Sequence, residues 1–282
     1  MSIEIRPLSA ALGAEVTGLD LTEPLSAADR DAVIAAFLDR HLLCLRSAPL
    51  TAGEFARTAR TFGTPQLQLL RSYRHAEVPE VSVLDSTYKT LKDKPDDLAR
   101  VRLSGWHTDD SYFEVPAKAT MLQALKIPQS GGETRFCNTR KAYDDLPGAT
   151  RRRIDGLKAV HAYDTMRAPA RAAVLTNEEA SETPDVVHPL VRTHDDTGAK
   201  AIYLNSNRTD SVVGLARAES DALLDTLHAH MTRPVYRYDH RWRVGDILLW
   251  DNRCLIHSVN VDFPVGEARV HQRILLKGTR PA

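Results

Sequence analysis

The sequence predicts a mainly β protein with flanking helices, folded as an antiparallel sandwich or jelly roll. Short apolar strand patterns recur from residue 119 onward, and glycine, proline and aspartate separate them. Two helical patterns interrupt this half of the chain. With 282 residues, of which 43% are hydrophobic and 26% charged, the chain has the size and composition of a soluble globular protein. We find no clear linker, so we expect a single domain over residues 1–282.

Charge and composition exclude several classes of partner. Basic and acidic residues balance at 37 each, so no bulk attraction to nucleic acid or to a membrane surface is expected. No apolar run reaches the length of a membrane span, and the first residues lack the pattern of a signal peptide. Cys44, Cys137 and Cys254 are widely spaced, which favours buried free thiols in a reducing cytoplasm over disulfides.

Strand and helix patterns alternate in the first sixty residues. Ser26 and Thr51 each stand three residues before an acidic residue, as helix-capping residues do. Gly63 is expected to end the second helix. The predicted elements are strands at 3–6, 14–17 and 42–45, a helix at 27–40 and a helix between Thr51 and Gly63.

Residues 65–105 differ from the rest of the chain in composition. Apart from an apolar strand pattern at 81–84, they are polar and mixed in charge. Because this segment precedes the candidate metal ligands, we expect a mobile lid over a binding site. A solvated surface excursion is an equally good interpretation of the same residues.

The second half supplies most of the predicted strands. A helix is also expected at 139–155 with a break at Pro147-Gly148, and another at 218–231 whose apolar side faces the core. The predicted strands are residues 120–125, 134–137, 159–163, 186–191, 201–204, 235–238, 246–250 and 270–276.

A candidate metal site rests on three residues that are far apart in the chain. His107 and Asp109 stand two residues apart, so an extended strand would direct both side chains to one face. An imidazole and a carboxylate on one face are two members of the facial triad that binds ferrous iron. His257 is the best candidate for the third ligand. A His-x-Asp pair alone is a weak signal, since polar residues at a strand end produce it by chance.

Two arginines follow the third candidate ligand. Arg269 and Arg273 stand four residues apart in an apolar strand pattern, which places both on one face. A cosubstrate that chelates iron through a keto acid has a distal carboxylate, and arginine pairs with a carboxylate bidentately. Thr134, just after the expected tight turn at Gly131-Gly132, would add a hydroxyl. An ordinary ion pair of these arginines with Asp or Glu is the competing interpretation.

The same motifs, taken together, resemble the taurine dioxygenase / 2,4-D dioxygenase (TauD/TfdA) family of Fe(II)- and 2-oxoglutarate-dependent dioxygenases. They occur in the family's order, at nearly its spacing and along essentially the whole chain. The matching stretches are Leu12-Gly13-Ala14-Glu15-Val16-Thr17-Gly18, Gly105-Trp106-His107-Thr108-Asp109, Gly131-Gly132-Glu133-Thr134, His188-Pro189-Leu190-Val191-Arg192-Thr193-His194, Trp250-Asp251-Asn252-Arg253, His257 and Arg269-Val270-His271-Gln272-Arg273.

The resemblance implies a fold, a reaction and a set of roles. The fold would be a double-stranded β-helix, a cupin-like jelly roll. The enzyme would use Fe(II), 2-oxoglutarate and O2 to oxidise, most simply by hydroxylation, a C–H bond of a small anionic substrate, with release of succinate and CO2. His107, Asp109 and His257 would bind iron, and Thr134 and Arg269 would hold the 2-oxoglutarate C5 carboxylate. Family members usually form homodimers or homotetramers.

Substrate recognition is where the chain departs from taurine-using members of the family. Those members have a sulfonate-binding histidine three residues before the tyrosine that matches Tyr73, and this place is Leu70 here. Ser86 stands where they have asparagine. Taurine is therefore not expected as the substrate, and a longer, partly apolar anion is preferred. The candidate substrate-binding residues, chosen by position, are Tyr73, Ser86, Tyr112, Phe113 and Arg273, the last lying beside both cosubstrate and substrate.

Some assignments stay open from the sequence. Asp251 and Asn252 either orient the imidazole of His257 or simply form a turn. His188 and His194 are expected to be structural. The alternatives to a dioxygenase are a zinc-dependent hydrolase on a jelly-roll fold, since the same three ligands suit catalytic zinc, and a non-enzymatic jelly-roll binding protein.

Overall fold

The computed structural model describes residues 3–90, 92, 105–168 and 172–282. Residues 91 and 93–104 of the predicted lid lie outside this described part. The strands are β1 (Glu4–Pro7), β2 (Ala14–Thr17), β3 (Leu42–Leu45), β4 (Pro65–Gln66), β5 (Ser82–Asp85), β6 (Ala119–Lys126), β7 (Thr134–Asn138), β8 (Lys158–His161), β9 (Val186–Pro189), β10 (Val191–Thr193), β11 (Lys200–Ile202), β12 (Thr209–Val212), β13 (Arg237–His240), β14 (Ile247–Asp251), β15 (Leu255–Val259) and β16 (Val270–Leu276). The helices are α1 (Ala27–Arg40), α2 (Ala52–Arg60), α3 (Thr139–Asp144), α4 (Gly148–Ile154), α5 (Asn177–Ser181) and α6 (Arg217–Met231).

Two sheets face each other and enclose the functional part of the molecule. The large sheet has the strand order β1-β2-β3-β14-β6-β16-β4, and β5 also pairs with β16. The second sheet has the order β13-β7-β15. Leu42 and Leu248 from the large sheet pack with Phe136 and Leu255 from the second, so apolar side chains fill the space between the sheets. This sandwich matches the mainly β architecture that the strand pattern predicts.

The large sheet is buried on both faces. Successive residues of a strand point to opposite faces, so Leu43 and Ile247 lie on the side away from the second sheet. Helices α1 and α2 cover that side through Phe37 and Phe55. Both strand faces are therefore apolar, and β3 and β14 are continuous runs of buried residues.

Smaller sheets and the remaining helices complete the other side of the molecule. Strands β12-β8-β9 form one sheet and β10-β11 another. Leu223, Leu224, Leu227 and Met231 of α6 are buried in the core they share with α3 and these strands. The apolar stripe of α6 is therefore a core-packing surface, as its spacing predicts.

Most element predictions agree with the structure, and the differences have local causes. Helix α2 ends at Arg60 rather than next to Gly63, because Thr61 and Phe62 donate to carbonyls three residues back and tighten the last turn. The strand predicted at 186–191 is divided, since β9 and β10 belong to different sheets. The strand predicted at 235–238 begins at Arg237, because Pro234–Tyr236 forms a 3-10 turn.

The described part of the predicted lid is anchored in the large sheet. Strand β4 pairs with the end of β16, and β5 pairs with its beginning. Residues 65–66 and 82–85 are therefore structural, whereas the described residues between β5 and Gly105 belong to no strand. The mobility of that stretch stays a prediction.

Candidate active site

His107, Asp109 and His257 meet at the mouth of the sandwich. The backbones of His107 and His257 exchange two hydrogen bonds, of 2.9 and 2.7 Å, which sets the two imidazoles side by side. His257 Nε2 lies 4.0 Å from Asp109 Oδ2. One potential ligand atom from each residue lies within 4.8 Å of the other two. The three candidate ligands are thus brought together, one from β15 and two from the loop before β6.

The local geometry of the His-x-Asp pair differs from the sequence prediction. Residues 107–109 make one isolated bridge to β15 instead of a regular strand. Thr108 Oγ1 donates to Asn252 O at 2.7 Å, and the chain then turns at Asp110, whose φ is 58°. The two side chains converge because this loop is tied to the turn after β14, not because a strand alternates its side chains.

The protonation states suit a divalent cation. His107 Nδ1 lies 2.7 Å from Gly105 O, and because a carbonyl only accepts, Nδ1 carries a proton, so that in the neutral ring Nε2 keeps its lone pair. Burial, reinforced by His107, lowers the pKa of His257 to about 3, so this imidazole is neutral. Burial opposes ionisation of Asp109, but His257 and Arg273 outweigh it and lower its pKa. Two neutral nitrogens and one carboxylate are the donor set of a facial triad.

A small inner cavity lies on one side of these ligands. Its volume is about 70 Å³, and its lining includes all three ligands with Thr134, Trp250, Arg269 and Arg273. Arg269 is only 5% exposed, and burial lowers the pKa of its guanidinium to about 10. Its Nε donates to Gly132 O at 3.2 Å and its Nη1 to Ser86 Oγ at 3.0 Å.

The third guanidinium nitrogen of Arg269, Nη2, indicates what kind of ligand the inner cavity could bind. Nη2 is buried and has no hydrogen-bond partner within the described ranges. No described carboxylate forms an ion pair with Arg269, so the competing ion-pair interpretation does not apply to this arginine. A buried unpaired donor on a cation is costly, and a ligand carboxylate would satisfy it. Thr134 Oγ1 accepts from Trp242 Nε1 at 3.0 Å, which leaves the threonine's own proton available to donate.

A second cavity opens on the other side of Asp109. It has a volume of about 130 Å³ and is lined by Gln68, His107, Thr108, Asp109, Asp110, Tyr112, Asn207, Arg208 and Arg273. Arg273 borders both cavities: Nη1 lies 3.8 Å from Asp109 Oδ1, and Nη2 donates to Gln68 Oε1. Burial, then the Asp109 charge, raises the pKa of Asp110 to about 6.

The predicted substrate residues divide between several places. Tyr112 and Arg273 line the second cavity. Ser86 does not, because the β5–β16 pairing places it at the inner end, where its N–H and hydroxyl both donate to Arg269 O. Tyr73 is 41% exposed on a 3-10 turn and lines neither cavity. Phe113 faces an outer groove, where its carbonyl lies 2.9 Å from His188 Nε2.

Gln68, Asp110, Asn207 and Arg208 are among the residues of the second cavity that sequence reasoning missed. The side chain of Gln68 accepts a hydrogen bond from Arg273. Gln68 stands two positions before Leu70, the position at which the resemblance places the sulfonate-binding histidine. Asn207 and Arg208 come from the loop between β11 and β12. The guanidinium of Arg208 lies 4.5 and 4.4 Å from the ring centres of Tyr112 and Tyr163, and its Nη1 is buried without a hydrogen-bond partner in the described chain. The polar run Asn205-Ser206-Asn207-Arg208 between β11 and β12 was the available signal.

Asp251 and Asn252 do form a turn, but neither contacts His257 by a described hydrogen bond. Asp251 accepts from Arg253 and lies 2.9 Å from His194 Nε2. Burial would raise the pKa of Asp251, and these hydrogen bonds lower it instead. His194 is thus a buried structural residue, as expected. Asn252 forms hydrogen bonds with Trp250, Thr120 and the Asp109 backbone, so its contacts lie around Asp109 and not around His257.

Fold and donor set together define a class of protein. A β sandwich whose mouth carries two histidines and one carboxylate, with a buried arginine beyond them, has the construction of a non-haem metal oxygenase.

None of the helices that the structure describes has both the length and the apolar character of a membrane span.

Comparisons with known proteins agree with this class. The family profile described as "Taurine catabolism dioxygenase TauD, TfdA family" matches residues 4–275. The alpha-ketoglutarate-dependent 2,4-dichlorophenoxyacetate dioxygenase of Cupriavidus pinatubonensis is 31% identical over 264 residues, which cover 91% of this chain and 92% of that protein. A crystal structure described as a taurine dioxygenase from Burkholderia xenovorans has a TM-score of 0.84 and 31% identity, covering 100% of this chain and 91% of that one. The structure of AAD-2 with Mn(II) and N-oxalylglycine has a TM-score of 0.80 and 27% identity, covering 100% and 99%.

The chain belongs to the TauD/TfdA family. It is a 2-oxoglutarate-dependent dioxygenase, an oxidoreductase that uses Fe(II) and O2, on a cupin-like jelly roll. The zinc hydrolase and the non-enzymatic binding protein are therefore both excluded as descriptions of this chain.

Proposed function

We propose that His107, Asp109 and His257 bind the ferrous ion and that Thr134 and Arg269 receive the C5 carboxylate of 2-oxoglutarate. The buried, unpartnered Nη2 of Arg269 at the far end of the inner cavity is the observation that carries this proposal. A facial triad leaves three positions on the metal for the cosubstrate and for O2. When bound, iron would activate O2, the oxidant, which takes two electrons from 2-oxoglutarate and two from the substrate, so that the products are succinate, CO2 and an oxidised substrate.

The protein's own residues prepare and enclose this chemistry. The Gly105 carbonyl fixes the tautomer of His107, and burial keeps His257 neutral, so a proton does not compete with the metal for the imidazole of His257. Leu84, Leu122 and Val259 give the inner cavity apolar walls that exclude water. Arg269, fixed by Gly132 and Ser86, sets how deep a dicarboxylate can enter.

The primary substrate is a small organic anion that binds in the second cavity. Arg273 and Arg208 both line it, and they present cationic groups beside the metal ligands. The name of the Cupriavidus relative indicates an aryloxyacetate as its substrate, which is likewise an anion with an apolar body. Taurine is not the expected substrate, because Leu70 stands at the position of the sulfonate-binding histidine of taurine-using members.

Location and assembly complete the proposal. One domain over residues 1–282 acts in the cytoplasm as a homodimer or homotetramer, with the stretch before Gly105 as a lid. Cys44, Cys137 and Cys254 are buried free thiols, which suits a reducing compartment. Light scattering on purified protein would give the assembly state.

A substrate screen tests the proposal. The enzyme is supplied with Fe(II), 2-oxoglutarate and O2, and succinate is measured with each of a panel of aryloxyalkanoates, alkyl sulfates, sulfonates and N-substituted amino acids. We expect one class to raise succinate well above the substrate-free rate. His257→Ala should abolish this, whereas His228→Ala, a histidine of another cavity, should not. Equal succinate formation by both variants would reject the assigned triad.

A further inference from the structure

Two buried residues, Asn252 and Thr120, connect the indole of Trp250 to the carboxylate of Asp109. Trp250 Nε1 donates to Asn252 Oδ1 at 3.0 Å, Asn252 Nδ2 donates to Thr120 Oγ1 at 2.9 Å, and Thr120 Oγ1 donates to Asp109 Oδ2 at 2.6 Å. Trp250, Asn252 and Thr120 are at most 2% exposed. Thr120 on β6 and Trp250 on β14 are cross-strand partners, so the large sheet itself fixes the spacing of this chain.

The direction of the hydrogen bonds follows from the donors available. An indole nitrogen only donates, so the atom of Asn252 that faces it must be the oxygen. The backbone N–H of Asp109 points at the same oxygen from 3.4 Å, which excludes the flipped amide for the same reason. The amide nitrogen therefore faces Thr120. Because the threonine oxygen then accepts, its single proton is left for Asp109.

The consequence for the carboxylate is an imposed orientation. Oδ2 receives the short bond from Thr120, whereas Oδ1 accepts no hydrogen bond from any residue the structure describes. Thr108, between the two ligands of the loop, is also held by Asn252, through its carbonyl. The ring of Trp250 lies 4.8 Å from that of His257, so the residue that begins the chain also packs against another candidate ligand.

We propose that Asn252 and Thr120 are positioning residues that hold Asp109 in its metal-binding orientation through a hydrogen-bond chain whose direction Trp250 sets. The proposal rests on the assignment of Asp109 as a metal ligand made above. Partners of this kind change metal affinity without touching the metal, by about 10- to 100-fold.

Metal affinity of the full-length protein gives the test, with Mn(II) as the probe and titration calorimetry as the measurement. Thr120→Val keeps the shape of the side chain and removes the hydroxyl, so we expect Mn(II) to bind about 10- to 100-fold more weakly. Thr120→Ser keeps the hydroxyl and should bind within a few-fold of the parent. Asn252→Asp, which can no longer donate to Thr120, should weaken binding as Thr120→Val does.

A double-mutant cycle separates positioning from general stability. In an Asp109→Ala background, Thr120→Val should weaken Mn(II) binding no further, because the group it acts through is gone. Equal Mn(II) affinity of Thr120→Val and the parent would overturn the proposal, as would an undiminished loss in the Asp109→Ala background. If Asp109→Ala itself binds Mn(II) as the parent does, the ligand assignment fails instead, and the two failures are thereby distinguished.

Discussion

Arg269 and Arg208 have different surroundings, and these indicate different ligands for the two guanidinium groups. Arg269 donates to the Gly132 carbonyl and the Ser86 hydroxyl at the closed end of the inner cavity, so its position is fixed before any ligand binds. The guanidinium of Arg208 packs against the rings of Tyr112 and Tyr163, and Arg208 lines the second cavity. Stacking of this kind favours a planar guanidinium and limits its motion.

Replacing Arg208 should therefore change the KM for the primary substrate and leave the KM for 2-oxoglutarate nearly unchanged. For the acid that gives the best coupling in the substrate screen, Arg208→Met should raise KM about 10- to 100-fold, the loss of one buried charged hydrogen bond. The KM for 2-oxoglutarate should stay within about twofold, since Arg269 is unchanged. Arg233→Met is the matched control, because Arg233 also lies over a tyrosine ring, at 5.9 Å, but outside both cavities. A parallel rise in both KM values for Arg208→Met would count against the assignment.

Individual residues differ in how far the sequence could identify them. His107, Asp109 and His257 were accessible because residue type and spacing suggest a ligand set, and the family resemblance joins them. Gln68 and Arg208 were not, because loops bring them to the cavity and loop paths have no periodicity to read. The position of Ser86 beside Arg269 was not accessible either, because the pairing of β5 with β16 was not predicted.

The elements that carry the site are tight turns more than strands. The loop between β6 and β7 places Gly131 and Gly132 in the left-handed region, at φ values of 72° and 73°. A Cβ on Gly132 would lie 3.2 Å from Arg269 Nε and the same distance from Pro128 Cγ. This glycine therefore lets the loop approach the arginine that the proposal assigns to 2-oxoglutarate.

A pair of glycine substitutions tests that role. Gly132→Ala and Gly198→Ala impose similar backbone strain, at φ values of 73° and 69°, but a Cβ on Gly198 meets nothing within 4 Å. Both should lower the free energy of unfolding by about 1 kcal/mol, measured by urea denaturation. Only Gly132→Ala should raise the KM for 2-oxoglutarate, several-fold, because it displaces Arg269. A KM for Gly132→Ala that matches that of Gly198→Ala would show that the loop does not position the arginine.

Strand β15 was not predicted, because its sequence does not alternate between apolar and polar residues. All five residues of β15 are buried, among them His257 and Ser258, so neither alternation nor an apolar run marked this strand. The sequence therefore predicted His257 as the third candidate ligand but did not predict the strand that carries it. The helix break at Pro147, by contrast, follows directly from the missing N–H of proline and was predicted.

At the scale of the whole molecule, closure of the sandwich unites residues that are distant in sequence. The large sheet combines strands from both ends of the chain, and β16 pairs with β4, β5 and β6 at once. Strand patterns predicted many of the pieces, but their pairing came only from the family resemblance. The strand order cannot be read from local periodicity, because it depends on which apolar faces cover each other.

Packing of the sheets and helices buries several histidines, and burial keeps these side chains uncharged. Burial lowers the pKa of His161 to about 3 and that of His41 to about 4. Between those values and about 6.5, the ordinary pKa of histidine, the unfolded chain binds protons that the folded chain does not. Acid therefore favours unfolding, and stability present above about pH 6.5 is lost as the pH falls towards the folded-state values.

The metal-free protein should lose stability between pH 7 and pH 5, and His161 should account for part of the loss. Each such group contributes at most about 1.4 kcal/mol per pH unit below its unfolded pKa. Urea unfolding of His161→Phe, which keeps a ring beside Tyr203, should give a shallower dependence on pH than the parent. Tyr203→Phe is the control: it disturbs the same ring contact, and burial raises the pKa of Tyr203 to about 12, so the slope should not change. Parallel pH profiles for the parent and His161→Phe would mean that His161 is not the group that resists protonation.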